Sequence, residues 1–361
     1  MTKAAELAKM GEVLTNSQIG GRRNILINGS QIVAQRATQV TGIGASGGYQ
    51  TVDRWTISAA NTAGRFTMDQ STDTPSGFAN STKLTCTTAD TSIAAGEILQ
   101  FQTKIEGQDL QSLKKGTSDA EKVTVSFYVK GNANATYTCE LHDRDNTRYN
   151  GQEFSVTTSW TRIILTFTGD TTGAFDNDNA VSMSLNFNLH GGSTYTGGTF
   201  SSNTWHTTAN QRFGDNQTSF FDSTDRTFFI TGLQMEVGSQ ATPFEHRSFG
   251  EELQLCKRYL SQVSEASDNT PVHLVGYNQG NGACRCSLHT EMRAAPTVTM
   301  TNMTILHGAG TEVAITSVDN IKSQGGITSF RANPASSITS GDAVIFYTDG
   351  ANASIRLDAE L

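Results

Sequence analysis

The chain contains no block of lysine or arginine. Only 17% of its residues are charged, and the formal net charge is -8 at pH 7. A nucleic-acid footprint needs clustered cations to displace counterions, so no nucleic-acid partner is expected. No run approaches the roughly 20 apolar residues of a membrane helix, and no membrane insertion is expected. The opening MTKAAELAKMGEVL puts Lys3, Glu6, Lys9 and Glu12 where a secretion signal needs an apolar stretch, which predicts assembly in the cytoplasm. Cysteine is sparse, odd in number and irregularly spaced: Cys86, Cys139, Cys256, Cys284 and Cys286. That is poor material for a disulfide framework, and reduced, buried thiols are expected. The zinc-protease signature H-E-x-x-H is absent, and no enzyme is expected.

Glycine, serine, threonine and asparagine are abundant instead, a composition that suits short strands joined by turns. With 361 residues the chain exceeds one ordinary core, and two domains are expected. Residues 2 to 14 predict a helix, with Leu7, Met10 and Leu14 at i, i+3 and i+7. So short a helix is marginal alone and should dock on something, such as copies of itself. Residues 1–20 are therefore read as an oligomerisation and attachment segment.

Beyond Arg23 the pattern has period two. Leu99, Phe101 and Ile105 alternate with Gln100, Gln102 and Lys104. Val123, Val125, Phe127 and Val129 alternate with Thr124, Ser126, Tyr128 and Lys130. Met183, Leu185, Phe187 and Leu189 alternate with Ser184, Asn186 and Asn188. Alternation of this kind predicts antiparallel sheets with one face buried and the other wet. Residues 21–247 are read as an antiparallel β-sandwich. Phe229, Leu233, Met235 and Val237 share a parity with Ile230 out of phase, and Gly232 allows a bulge that corrects the register. Ser248 and Glu251 have capping-box spacing, opening a linker helix over 248–261 with Leu253, Cys256 and Leu260 on one stripe. Residues 262–361 predict a smaller all-β domain, with Cys284, Cys286 and Leu288 facing its core.

Four stretches resemble tail-fibre and related virion proteins of marine tailed bacteriophages: RRNILINGSQIVAQRAT (22–38), TVDRW (51–55), ITGLQMEVGSQATPFEHRSFGEELQLCKRYL (230–260) and MRAAPTVT (292–299). The third is long and specific, and the order of the others adds weight. The resemblance implies a mainly β chain whose sandwich is a jelly roll of the carbohydrate-binding-module kind. It implies a virion (tail) component, usually a homotrimer, that meets other tail proteins through its N-terminus and a host cell-surface glycan or protein elsewhere. Its anchor residues are structural, and no binding position carries over from it.

Candidate ligand residues come from the polar segment 194–219. An exposed Trp205 beside Tyr195, His206 and Arg212 could stack on a sugar ring and bond its hydroxyls. The competing reading has Trp205 pinning the loop or packing on a neighbouring subunit. Trp55 and Trp160 are read as core. HDRDNTRYNG, 142–151, echoes the start of a calcium loop, but Arg148 stands at position six and Phe154 at position twelve, so it reads as a hairpin tip. Cys284-x-Cys286 with His289 and His273 lacks a second pair at zinc spacing. No cofactor is expected; a structural Ca²⁺ held by backbone carbonyls leaves no sequence signature. The expected function is a phage tail fibre or related appendage taking part in host-surface glycan recognition. The alternatives are a virion adaptor or decoration protein and, less favoured, a glycan depolymerase, whose carboxylate pair is defined in space rather than in sequence.

Overall fold

Alternating Val, Leu, Phe and Thr give pleated strands with one apolar side, and two such sheets close on each other. The computed structural model describes residues 3–4, 23–264, 273–278, 284–308, 310–348 and 353–361. Leu7, Met10 and Leu14 lie outside the described residues. The chain divides into two compact units, Met1–Glu252 and Leu253–Leu361.

The first unit is a jelly-roll sandwich of two six-stranded antiparallel sheets. One runs β1 (Gln39–Ile43), β4 (Arg65–Ser71), β5 (Ser81–Thr88), β12 (Thr227–Val237), β7 (Val123–Gly131), β10 (Thr161–Phe167). The other runs β2 (Gly48–Tyr49), β3 (Trp55–Ala60), β6 (Ile98–Glu106), β11 (Val181–Gly191), β8 (Ala135–Asp143), β9 (Arg148–Val156). From β5 onward the chain changes sheet at nearly every connection. Trp55 is fully buried and stacks on Phe101 at 5.0 Å, and Phe187 meets Phe127 edge-on at 4.9 Å. Rings packed this way add roughly 0.5–1.5 kcal/mol per pair beyond the area they bury.

Several expectations are corrected. The polar partners Gln100, Gln102, Thr124, Ser126, Ser184, Asn186 and Asn188 are buried, not wet. In the second sheet a segment described below crosses part of the outer face, and Arg144 from the β8–β9 turn covers the rest, donating to Ser184 Oγ (3.1 Å) and Gln102 Oε1 (3.3 Å). Trp160 is half-buried outside the core, with Nε1 donating to Asp73 (3.0 Å) and its ring edge-on to Phe229. Phe228 and Ile230 take the core side of β12 before the bulge, leaving Phe229 on the outer side beneath Lys83 and Lys130. The bulge falls between Thr231 and Gln234, around Gly232 at φ +63°. A Cβ there would press on the rings of Phe78 and Tyr128 at 2.7 and 2.9 Å.

Three of the four stretches that carried the family resemblance, 22–38, 51–55 and 230–260, meet in space. The Glu245 carboxylate accepts the N–H groups of Arg23 and Asn24 at 2.8 Å each. Arg247 donates to the carbonyls of Leu26 and Asn24. Trp55 Nε1 donates to Asn28 O, and the Asp53 carboxylate accepts Gln35 N–H. Charge-assisted bonds of this kind are about twice as strong as neutral ones, so these residues fasten the entry of the sandwich to its exit.

The capping box at Ser248 forms, with Ser248 N donating to Glu251 Oε2 (3.1 Å). The helix spans Phe249–Lys257, and Leu260 opens strand β13 (Leu260–Ser264) instead of completing a helical stripe. In the second unit β13, β21 (Ser354–Asp358) and β16 (Thr297–Thr301) form a small sheet. A closed barrel runs β14 (His273–Asn278), β15 (Cys284–Leu288), β19 (Ile327–Pro334), β18 (Thr311–Gln324), β17 (Met303–His307), β20 (Ala343–Thr348). Cys284 and Cys286 point into its core with Ile305, Phe330 and Phe346. All five cysteines are buried. Among the described residues no helix is long and apolar enough to cross a membrane.

Candidate ligand-binding face

The outer face of the second sheet carries polar rows across its strands. Gln102, Asn186 and Glu140 lie side by side on β6, β11 and β8, as do Gln100, Asn188 and Thr138. Ser184 pairs with His142, and His142 with Tyr149 on β9. Gln100 Nε2 donates to Asn188 Oδ1 (2.6 Å), and Asn186 Nδ2 to Glu140 Oε2 (2.8 Å).

The segment between β11 and β12 crosses this face as a strap. Thr218 N donates to Thr136 O, Gly214 N to Thr138 Oγ1, and Asn203 N to Gly151 O. Gly151 permits the crossing, because a Cβ there would meet the Phe200 ring at 3.1 Å. Arg212 anchors the strap: its Nε and Nη2 donate to the two oxygens of Glu140, both at 2.8 Å. The guanidinium lies 4.4 Å over the Tyr149 ring and 5.7 Å from that of Tyr195, which stacks on Phe213. His206 exchanges backbone hydrogen bonds with Tyr149 in both directions.

Of the four candidate residues, His206 and Arg212 therefore meet at Tyr149, and Tyr195 joins them through Arg212. Trp205 belongs to a different group. It is half-buried against the core, its Nε1 donates to Thr168 O (2.7 Å), and it lines a small cavity with Lys115, Leu141, Asp170 and Phe175. Sequence reading missed Tyr149 and Glu140. The available signal was the HDRDNTRYNG hairpin, whose register sets Tyr149 across from His142.

Burial works against the charge on Glu140, yet the Arg212 guanidinium and the Asn186 amide hold its carboxyl below the usual range. Burial pushes His142 down to about 3 against the pull of Glu140, and lowers His206 as well. His142 Nδ1, Asn186 Oδ1 and Asn188 Nδ2 are buried with no hydrogen-bond partner among the described residues. Elsewhere, Asp90, Glu97 and His190 come close enough to share a cation, but both His190 nitrogens are already engaged, by Ser219 Oγ (2.7 Å) and Glu97 Oε2 (2.9 Å).

No protein-family model matches the chain, and no curated protein matches it. Among solved structures it is similar to a CBM4 module, at 13% identity over 58% of this chain and 97% of that one, with a TM-score of 0.32. It is similar to the CBM22-1–CBM22-2 tandem of Paenibacillus barcinonensis Xyn10C, at 9% identity over 94% and 97%, TM-score 0.28. It is also similar to the enzymatically active domain of tailspike protein 4 of bacteriophage CBA120, at 12% identity over 59% of this chain and 21% of that one, TM-score 0.29. At these scores the jelly-roll assignment rests on the strand order and pairing given above.

Proposed function

We propose that this chain is a non-enzymatic component of a phage tail, a fibre or related appendage, that takes part in recognition of host-surface glycan through the sandwich. The observation that carries the reading is the half-buried Tyr195 ring on the strap, stacked on Phe213 with the Arg212 guanidinium 5.7 Å away. The amide, carboxylate and imidazole groups beneath the strap are buried and hold it in place. A saccharide offers the complement: hydroxyls that both donate and accept, and C–H faces that stack on rings. The four stretches resembling phage virion proteins support the setting. Tyr195 is the proposed ligand-facing ring, and Trp205 the residue that pins the strap.

The test is binding of the full-length chain to polysaccharide from the host surface, followed by calorimetry. Tyr195→Ala should weaken binding about three- to tenfold, the value of one ring contact, while losing its stacking on Phe213 should lower the melting temperature by no more than about 5 °C. Equal binding by both proteins would remove the sandwich face from recognition, and release of oligosaccharides would move the chain to the depolymerases.

A second reading, an adaptor within the tail, is favoured by the barrel. Val275 is 75% exposed and stands in a cross-strand row with Ile345 and Leu306, beside exposed Tyr277. Apolar rows on an outer sheet face suit protein contacts better than sugars.

A further inference from the structure

The stretch that echoes a calcium loop does reach a cation. HDRDNTRYNG folds into the β8–β9 turn and sends Asp143 inward. Asp143 Oδ1 accepts the N–H groups of Asp145 and Asn146 at 3.0 Å. Asp143 Oδ2 is buried without a hydrogen-bond partner among the described residues, yet it lies 2.7 Å from Lys115 Nζ. The same nitrogen stands 3.3 Å from Asp170 Oδ2 and donates to the carbonyls of Thr172 and Gly173, both at 2.7 Å. Four oxygens thus surround an ammonium with three hydrogens, and the Asp143 contact is ionic instead of a directed hydrogen bond. Arg148 forks Asp170 at 2.7 and 3.1 Å, so two carboxylates face two cations and the buried group is neutral. Lys115 is 4% exposed at its side chain, whereas its neighbour Lys114 is 53% exposed.

We propose that this cage is a cation site filled by the chain's own ammonium, and that Ca²⁺ occupies it once the Lys115 side chain is cut back. The ligand types are those of a calcium ion: oxygen only, two carboxylates and two backbone carbonyls, three at 2.7 Å and the Asp170 oxygen at 3.3 Å, which must draw in to about 2.3–2.6 Å. The adjoining cavity of about 20 Å³, lined by Lys115, Asp170, Phe175 and Trp205, has room for one water, and the space vacated by the Lys115 side chain takes the further waters of a shell of about six to eight oxygens. In the native chain the site is full. The turn at 170–175 and the Trp205 end of the strap, whose rings lie 5.1 Å (Phe175) and 6.0 Å (Trp205) from the ammonium, are therefore fastened without metal.

The experiment follows melting of the full chain, of Lys115→Ala and of Lys115→Met, each in EDTA and in millimolar CaCl₂. The native chain should melt at one temperature in both. Lys115→Ala should melt lower in EDTA and recover by about 5 °C or more in CaCl₂. Lys115→Met, which fills the space without charge, should be lowered and unresponsive. A native chain that responds to Ca²⁺, or a Lys115→Ala variant that does not, overturns the proposal. Should Lys115→Ala not fold, amine acetylation of the native chain decides. Lys114 should react freely and Lys115 only after unfolding, and equal rates would sink the cage.

Discussion

Tyr149 on β9 sits between His142 on one side and the guanidinium of Arg212 over its ring. The imidazoles around it are kept neutral by burial, and this sets how the fold responds to acid. His142, His190 and His206 all have folded values below their ordinary one, with His142 at about 3. Between the folded and the unfolded values the unfolded chain binds more protons, so stability rises with pH across that window and is lost on acidification below about 6.5. Each proton taken up only on unfolding contributes a slope of about 1.4 kcal/mol per pH unit. Urea midpoints measured from pH 4 to 7 should fall steadily toward the acid end. His142→Gln should flatten that slope by about one proton, and an unchanged slope would show that His142 is not buried neutral.

Strand β12 shows what an element contributes beyond its residues. Its apolar parity changes at Gly232, where a left-handed backbone lets Ile230 and Leu233 both reach the core. Gly232→Ala would strain that backbone and drive a methyl into two rings. It should cost about 2–4 kcal/mol in denaturant unfolding, more than the usual glycine-to-alanine change and of opposite sign to the gain seen at permissive sites. This bulge was legible in the sequence because the parity break and the glycine stand together. The strands were legible too, since period two and turn clusters are local signals. The strap's contacts were not, because Arg212 finds Glu140 72 residues away and nothing in either neighbourhood names the other. The burial of Asn186 and Asn188 was hidden for the same reason: alternation tells which side of a strand is apolar, but not whether another segment covers the polar side. Likewise Lys114 and Lys115 look alike in the sequence, and only the fold distinguishes the surface one from the caged one.

Across the whole molecule, each unit has its own buried core, with Cys86 and Cys139 in one and Cys284 and Cys286 in the other. Heating in the presence of a thiol reagent should therefore give two modification steps by mass spectrometry, one reporting Cys86 and Cys139 and the other Cys256, Cys284 and Cys286. A single step labelling all five at once would show that the units open together. The strap has one more consequence at this scale. Strand β9 ends the second sheet, and its outward N–H and C=O groups at Tyr149 and Gly151 are taken by His206 and Asn203. A bare border of this kind is a template on which a neighbouring chain can add a strand and start a fibril. Where many copies are crowded together, the strap acts as a hem: it finishes the sheet's border so that molecules side by side do not zip into one another.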